Sequence, residues 1–203
     1  MAALISTFIF FFAVIDPIGS VPVFIAVTNG FSEKEKRITA VKAVIVSCLV
    51  LLFFIVAGEL ILNAINIPLP AFQIAGGIVL FLFALTMIFG DSKPEEEIKT
   101  IKNTTETAIF PMAMPSIASP GAMLAAVLLT ENSEFSVWEQ FQSSMAMISV
   151  LVVVLVLLIL STKVHKLIGD AGASIISRVM GLILSAVAAS NIIEGIKESF
   201  NLL

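Results

Sequence analysis

The sequence predicts an all-α membrane protein: six transmembrane helices in two inverted three-helix repeats, with helices one and four broken. Three observations predict it: the apolar composition, six apolar runs of bilayer length, and positive charge that alternates from loop to loop. Of 203 residues, 59% are hydrophobic and 13% charged, and 16 are Phe; the mean hydropathy is +1.10. A water-soluble domain this apolar would precipitate, so lipid is the expected solvent. Six spans of about 20 residues each use most of the chain, leaving no room for a separate soluble domain. The net charge of −4 is dispersed, with no basic cluster of the size nucleic acid requires. Cys48 stands alone in an apolar run, which excludes a disulfide framework and a sulfur-based metal site.

The apolar runs fall at about 3–28, 39–62, 71–90, 108–130, 141–162 and 177–196, each suited to a hydrocarbon core roughly 30 Å thick. A signal peptide is the alternative for the first run, but no Lys or Arg precedes Lys34, no cleavage site follows, and Asp16 interrupts it. Asn29-Gly30 can stop helix one, and Ser32-Glu33-Lys34-Glu35 has the spacing of a capping box opening helix two. Lys34, Lys36, Arg37 and Lys42 surround the first loop, Lys93, Lys99 and Lys102 lie in the third, and Lys163, Lys166 and Arg178 flank the fifth. The loops at 63–70 and 131–140 contain neither Lys nor Arg. By the positive-inside rule, loops one, three and five are cytoplasmic and both termini face outward, Lys197 being a minor dissent. Trp138 suits an outer interfacial position. The polar stretch 91–107 is a cytoplasmic linker between repeat one (1–90) and repeat two (108–203).

An internal correspondence supports this division. Residue 17 placed over residue 120 superposes Asp16-Pro17-Ile18-Gly19 on Ser119-Pro120-Gly121-Ala122. One further residue of offset brings Gly77 onto Gly181, Ala84 onto Ala188, Thr86 onto Ser190 and Ile88 onto Ile192. A three-helix unit followed by its copy must enter the membrane from the opposite side, as the loop charges independently require.

Prolines interrupt the corresponding helices. Pro17 and Pro22 free the carbonyls of Ala13 and Ile18, and helix four repeats the pattern with Pro111, Pro115 and Pro120. Such backbone must be buried against protein or line a polar cavity. Asp16-Pro17 and Ser119-Pro120 read as starts of half-helices, with a side-chain oxygen at the N-cap and proline at the first helical position. Two half-helix N-termini meeting near midmembrane would favour a carboxylate, and Gly19, Gly121 and Ala122 would let a ligand approach the backbone. The bland alternative is that these prolines only kink packed helices. A charged Asp16 within the bilayer would cost about 2.5–3.5 kcal/mol, so it needs a role: capping its own half-helix, or coupling to a proton or cation. Glu59 and Glu194, near helix ends, read as snorkelling. Gly181, Ser185 and Ala189 form a small-residue packing face. Asn191, Ser190, Thr86 and Gln73 are candidates to point inward, either binding substrate or bonding between helices. His165 is alone in an expected loop, and the metalloprotease pattern and a second membrane carboxylate are lacking, so an enzyme is not expected.

Asp16-Pro17-Ile18-Gly19-Ser20-Val21-Pro22 together with Ala113-Met114-Pro115-Ser116-Ile117-Ala118-Ser119-Pro120-Gly121-Ala122 resembles the MarC family of prokaryotic inner-membrane proteins. Ile74-Ala75-Gly76-Gly77, Ser177-Arg178-Val179-Met180-Gly181-Leu182 and Ile192-Ile193-Glu194-Gly195-Ile196 look like that family's remaining signatures. The resemblance implies six helices in a bacterial or archaeal cytoplasmic membrane and small neutral amino acids, such as glycine and alanine, as substrates; the antibiotic resistance linked to some members by name is not carried over. The sequence departs from the family at Ser119, where many members have glycine, and at Gln73 and Asn191, where arginine and glutamine are common. The missing arginine removes a potential carboxylate partner.

These readings combine into an expected secondary transporter whose halves rock around a midmembrane site, with no ATP motif and no cofactor or metal. The expected substrate-binding residues are Asp16, Pro17, Gly19, Ser20, Ser119, Pro120, Gly121, Ala122 and Asn191, with Asp16 also coupling an ion. The rivals are a channel or exporter for another small metabolite, and a non-transporting scaffold. The expected partners are a small neutral amino acid and membrane lipid; homo-oligomerisation stays open.

Overall fold

The computed structural model describes residues 2–89, 104–132 and 135–200. Among these, every regular element is helical: α1 (Ala2–Ile15), α2 (Ser20–Val27), α3 (Glu33–Ala64), α4 (Leu69–Phe89), α5 (Thr104–Thr107), a π-wound segment (Ala108–Ile117), α6 (Pro120–Leu128), α7 (Val137–Ile159) and α8 (Ser161–Ser199). Five stretches are long and apolar enough to cross a bilayer: Leu4–Val27, Glu33–Ala64, Leu69–Phe89, Val137–Ile159 and Ser174–Ser199. A sixth, Thr104–Ile117 with Pro120–Leu128, passes only as a pair bent by 60°. The chain is thus an all-helical, multi-pass membrane protein of five or six spans. Most of the expected linker, 91–107, lies outside the described residues. Its last four residues already form α5, where Lys42 Nζ donates to Thr105 Oγ1 at 2.6 Å and ties that turn to α3.

Local chemistry explains the helix starts. Ser32 stands at the N-cap of α3, its Oγ accepting from Glu35 N at 3.3 Å while Glu35 Oε2 accepts from Ser32 N at 2.8 Å. Ser136 and Glu139 repeat this reciprocal arrangement at the start of α7, at 3.4 and 2.9 Å. Each box satisfies donors that the first helical turn would otherwise leave unpaired. The fifth loop departs from expectation. Ser161–Ser199 is helical except at Gly169, whose φ of 68° interrupts it, so His165 lies on a helix and not in a loop. Glycine reaches that left-handed conformation without a Cβ clash, which lets the helix resume directly.

The first span lies innermost: 56% of its most apolar window is buried inside the protein, against 17% for Leu69–Phe89. Phe11, Val14 and Ile15 of α1 cluster with Met112 and Ile117 of the π-wound segment, Ala122 and Ala125 of α6, and Met147 and Val150 of α7. α1 packs on α7, the π-wound segment and α6 pack on α3, and α4 pairs with α8 along its length. Large apolar residues on α3, α4 and α8, such as Val56, Leu82 and Leu182, stay exposed on the surface that meets lipid.

The α4–α8 pair is built on reciprocal glycine contacts. A Cβ at Gly77 would come within 2.7 Å of Ile192 Cγ1 and 3.1 Å of the Ala188 carbonyl oxygen. At Gly181 it would come within 2.9 Å of Met87 Cβ and 3.0 Å of the Ala84 carbonyl oxygen. The small residues therefore bring the two backbones close. The buried face of α8 follows Gly181, Leu184 and Ala188, while Ser185 is only partly buried. This departs from the expected Gly181, Ser185, Ala189 row, because a 3.6-residue period carries a face through i+3 and i+7. Gly181→Val should therefore destabilise the protein by about 1–3 kcal/mol through overpacking. Thermal unfolding in detergent checks this; an unchanged melting temperature would remove the glycine from the packing seam.

Candidate functional site at the two interrupted segments

Between α1 and α2 the chain turns through Asp16, Pro17, Ile18 and Gly19. Asp16 adopts a φ of 48°, a left-handed conformation that Asp tolerates because its short carboxylate can bond locally. Asp16 Oδ1 accepts from Gly19 N at 3.0 Å, Ser20 Oγ donates to the Asp16 carbonyl at 3.1 Å, and Ser177 Oγ on α8 donates to Asp16 Oδ2 at 3.2 Å. The side chain is 4% exposed. Asp16 is not the N-cap of the following helix, as the sequence suggested. Gly19 holds that place, because Pro17-Ile18-Gly19 form a turn before helix begins, and the carboxylate closes that turn. The Ile18 carbonyl freed by Pro22 accepts from Val21 N at 3.1 Å.

The second interruption is longer. Pro111 and Pro115 lie in the π-wound segment, where Phe110 and Met114 depart from helical φ/ψ. The Ala113 carbonyl accepts from Ala118 N at 2.8 Å and lies 3.4 Å from Ser47 Oγ on α3, which also donates to its own Ala43 carbonyl. Ser119 caps α6, with Pro120 at the helix start. Its Oγ accepts from Ala122 N at 3.1 Å and donates to the Val14 carbonyl at 3.0 Å. Ser20 Oγ and Ser116 Oγ lie 3.4 Å apart across the same junction.

The structure therefore brings Asp16, Pro17, Gly19 and Ser20 together with Ser119, Gly121 and Ala122. Asp16, Ser20 and Ser119 are all buried. The glycines do not stand open: a Cβ at Gly19 would strike the Asp16 carboxylate and lie 2.6 Å from Ser177 Oγ, and one at Gly121 would strike Leu80. Side chains of the protein fill the space that a ligand would use. Pro120, between buried Ser119 and Gly121, is itself exposed. Asn191 lies fourteen residues beyond Ser177 on α8, about 21 Å along the helix axis, so it is not part of the Asp16 cluster. Its buried Nδ2 has no hydrogen-bond partner among the described residues. Thr86 and Ser190, candidates for an inward-facing surface, are exposed, and Gln73 is half-buried.

Sequence reasoning missed Ser47, Ser116 and Ser177 as polar members of this region. Serine is too common in membrane helices for spacing alone to single them out. Glu59, read as snorkelling or solvated at a helix end, is partly exposed, and its Oε2 accepts from Asn132 N at 2.9 Å and Asn132 Nδ2 at 2.6 Å, while Asn132 Oδ1 accepts from Gln140 Nε2 at 3.0 Å. This chain of bonds joins the end of α3 to the approach to α7. Chemically, the junction offers one buried carboxylate and several hydroxyls, groups able to accept from an ammonium or to hold a proton or small cation.

Residues 1–200 match the model of the MarC family integral membrane protein. The chain is 37% identical over 190 residues to the UPF0056 membrane protein MJ1677 of Methanocaldococcus jannaschii, covering 92% of each chain. A UPF0056 membrane protein of Aquifex aeolicus is 31% identical over 204 residues, 96% of this chain and 92% of the relative. The UPF0056 membrane protein YvbG of Bacillus subtilis is 30% identical over 205 residues, 98% of this chain and 97% of the relative. No solved structure matches the chain.

Ser119→Ala removes the acceptor for Ala122 N and the donor to the Val14 carbonyl, both buried, and should cost about 1–3 kcal/mol. Chemical or thermal unfolding in detergent measures it, and a loss below a few tenths would mean that neither bond ties the segments together.

Proposed function

The chain belongs to the MarC family of integral membrane proteins, and on that footing we propose that it is a secondary transporter for small neutral amino acids across the cytoplasmic membrane. In this reading two inverted three-helix repeats, residues 1–90 and 108–203, rock about a midmembrane site at the two interruptions. The observation that carries it is the meeting of two interrupted segments, Ser119 on the Val14 carbonyl and Ser116 beside Ser20, next to the buried carboxylate of Asp16. Irregular backbone inside a membrane is tolerated only where protein or a polar cavity completes its hydrogen bonds, and such places are where substrate and coupling-ion sites of transporters form.

Several correspondences support the repeat. Asp16 Oδ1 accepts from the amide three residues on, and Ser119 Oγ does the same in the other half. The capping boxes Ser32–Glu35 and Ser136–Glu139 stand 104 residues apart, the same separation as Gly77 and Gly181. The packing follows suit: α1 on α7 mirrors the fourth segment on α3, and the third helices pair with each other. A pseudo-twofold exchange of the halves leaves these relations unchanged, as it does at a self-complementary interface.

The filled space around Gly19 and Gly121 fits an occluded state, in which Gly19 N and Ser177 satisfy the Asp16 carboxylate, and Ala122 N and the Val14 carbonyl satisfy Ser119, until substrate takes over those bonds. A substrate carboxylate would take over the amides of Gly19 and Ala122, which Asp16 and Ser119 cap. Its ammonium, or a coupling proton or cation, would go to Asp16. Asp16, Ser177 and Leu80, which fill the space beside Gly19 and Gly121, restrict the site to short side chains, whereas Asn191 lies about 21 Å along α8 from Ser177.

Asp16→Asn tests this reading with little structural disturbance, because Asn tolerates the left-handed conformation and keeps an acceptor oxygen for Gly19 N. In liposomes, wild type should exchange labelled glycine or alanine in counterflow with saturation, and the variant should lose stimulation by an ion gradient while melting within a few degrees of wild type. Absence of saturable counterflow for glycine, alanine and serine under every ion gradient would overturn the assignment and favour a channel or scaffold.

A further inference from the structure

At the start of α3 an open groove of about 390 Å³ is lined by Glu33, Lys34, Arg37 and Ile38. Lys36 Nζ occupies Glu33, at 3.1 Å, and Lys42 is engaged with Thr105. Lys34 and Arg37 are then the two cations at the groove with no ion pair or hydrogen bond among the described residues. Their spacing of three puts them on one helical face. That face continues as an apolar stripe through Ile38, Val41, Ile45, Leu49 and Phe53, each between 38% and 63% exposed. Successive steps of three or four residues keep the stripe in line with the groove.

We propose that this face is a binding site for an anionic phospholipid. Charge complementarity names the occupant: a lipid phosphate between Lys34 and Arg37, with its acyl chain lying along Ile38, Val41 and Ile45. Arg37 offers a planar fork for two phosphate oxygens, and Lys34 adds a point charge. Basic residues at the end of a membrane helix attract anionic headgroups without any deep pocket, and the depth of the groove matters less than the union of its two cations with an apolar track. A soluble phosphate ester would satisfy the cations alone and leave the stripe unused. The site is independent of the transport reading, because it lies on the lipid-facing side of α3.

Native mass spectrometry of the full chain in detergent, titrated with phosphatidylglycerol or phosphatidylcholine of the same acyl chains, tests it. Two cations should favour phosphatidylglycerol by about thirtyfold. The Lys34→Gln/Arg37→Gln variant should lose most of that preference, while Lys163→Gln, on another element, should keep it. A preference that falls in 0.5 M salt in the wild type supports the site without any variant that could misfold. Equal binding of the two lipids by wild type, an unchanged preference in the double variant, or full competition by millimolar glycerol phosphate would each overturn the proposal.

Discussion

Hydrocarbon offers no hydrogen bonds, and the interior of this molecule is organised by that constraint. Wherever proline or a turn takes a peptide group out of its helix, another group of the protein must replace the missing partner. Short side chains do this work. Ser119 spans from an amide of its own helix to the Val14 carbonyl, Ser47 reaches from α3 towards the Ala113 carbonyl, and Asp16 closes its own turn while receiving Ser177. The first irregular segment is consequently buried among the helices around Asp16 and Ser20, whereas the second buries Met112, Ala113 and Ser116 to Ser119 and leaves Ile109, Phe110 and Met114 exposed.

The coarse architecture was legible because it depends on length and apolarity, quantities that a sequence carries directly. Apolar runs at 39–62 and 71–90 became helices Glu33–Ala64 and Leu69–Phe89, with the polar first turn of α3 added by a capping box visible as Ser32 and Glu35. The second box, Ser136 with Glu139, has the same pattern and could have been read in the same way. Hydropathy failed where backbone geometry decides: it could not foresee that Lys163–Ile168 continue as helix up to Gly169, or that Thr104–Thr107 are already wound. The buried face of α8 was misread, since a spacing of four from Gly181 leads to Ser185 and Ala189 whereas the 3.6-residue period leads to Leu184 and Ala188.

The candidate site was legible at its proline and glycine landmarks and illegible in its partners. Asp16 stood out because a carboxylate in a bilayer is costly, whereas the hydroxyl that meets it comes from Ser177, 161 residues away, and no local pattern connects the two. Asn191 stands as a separate case. Its amide nitrogen is buried without a partner among the described residues, yet helix geometry sets it far from Asp16, so polarity on the correct helix does not by itself mean a shared location.

The contact between Gly77 and the Ala188–Ile192 stretch, matched by that between Gly181 and the Ala84–Ile88 stretch, carries a consequence for energetics. A seam made of such reciprocal contacts has no slack on either side: a side chain added at Gly77 meets α8, and one added at Gly181 meets α4, so neither helix accepts a larger residue there without displacing the other.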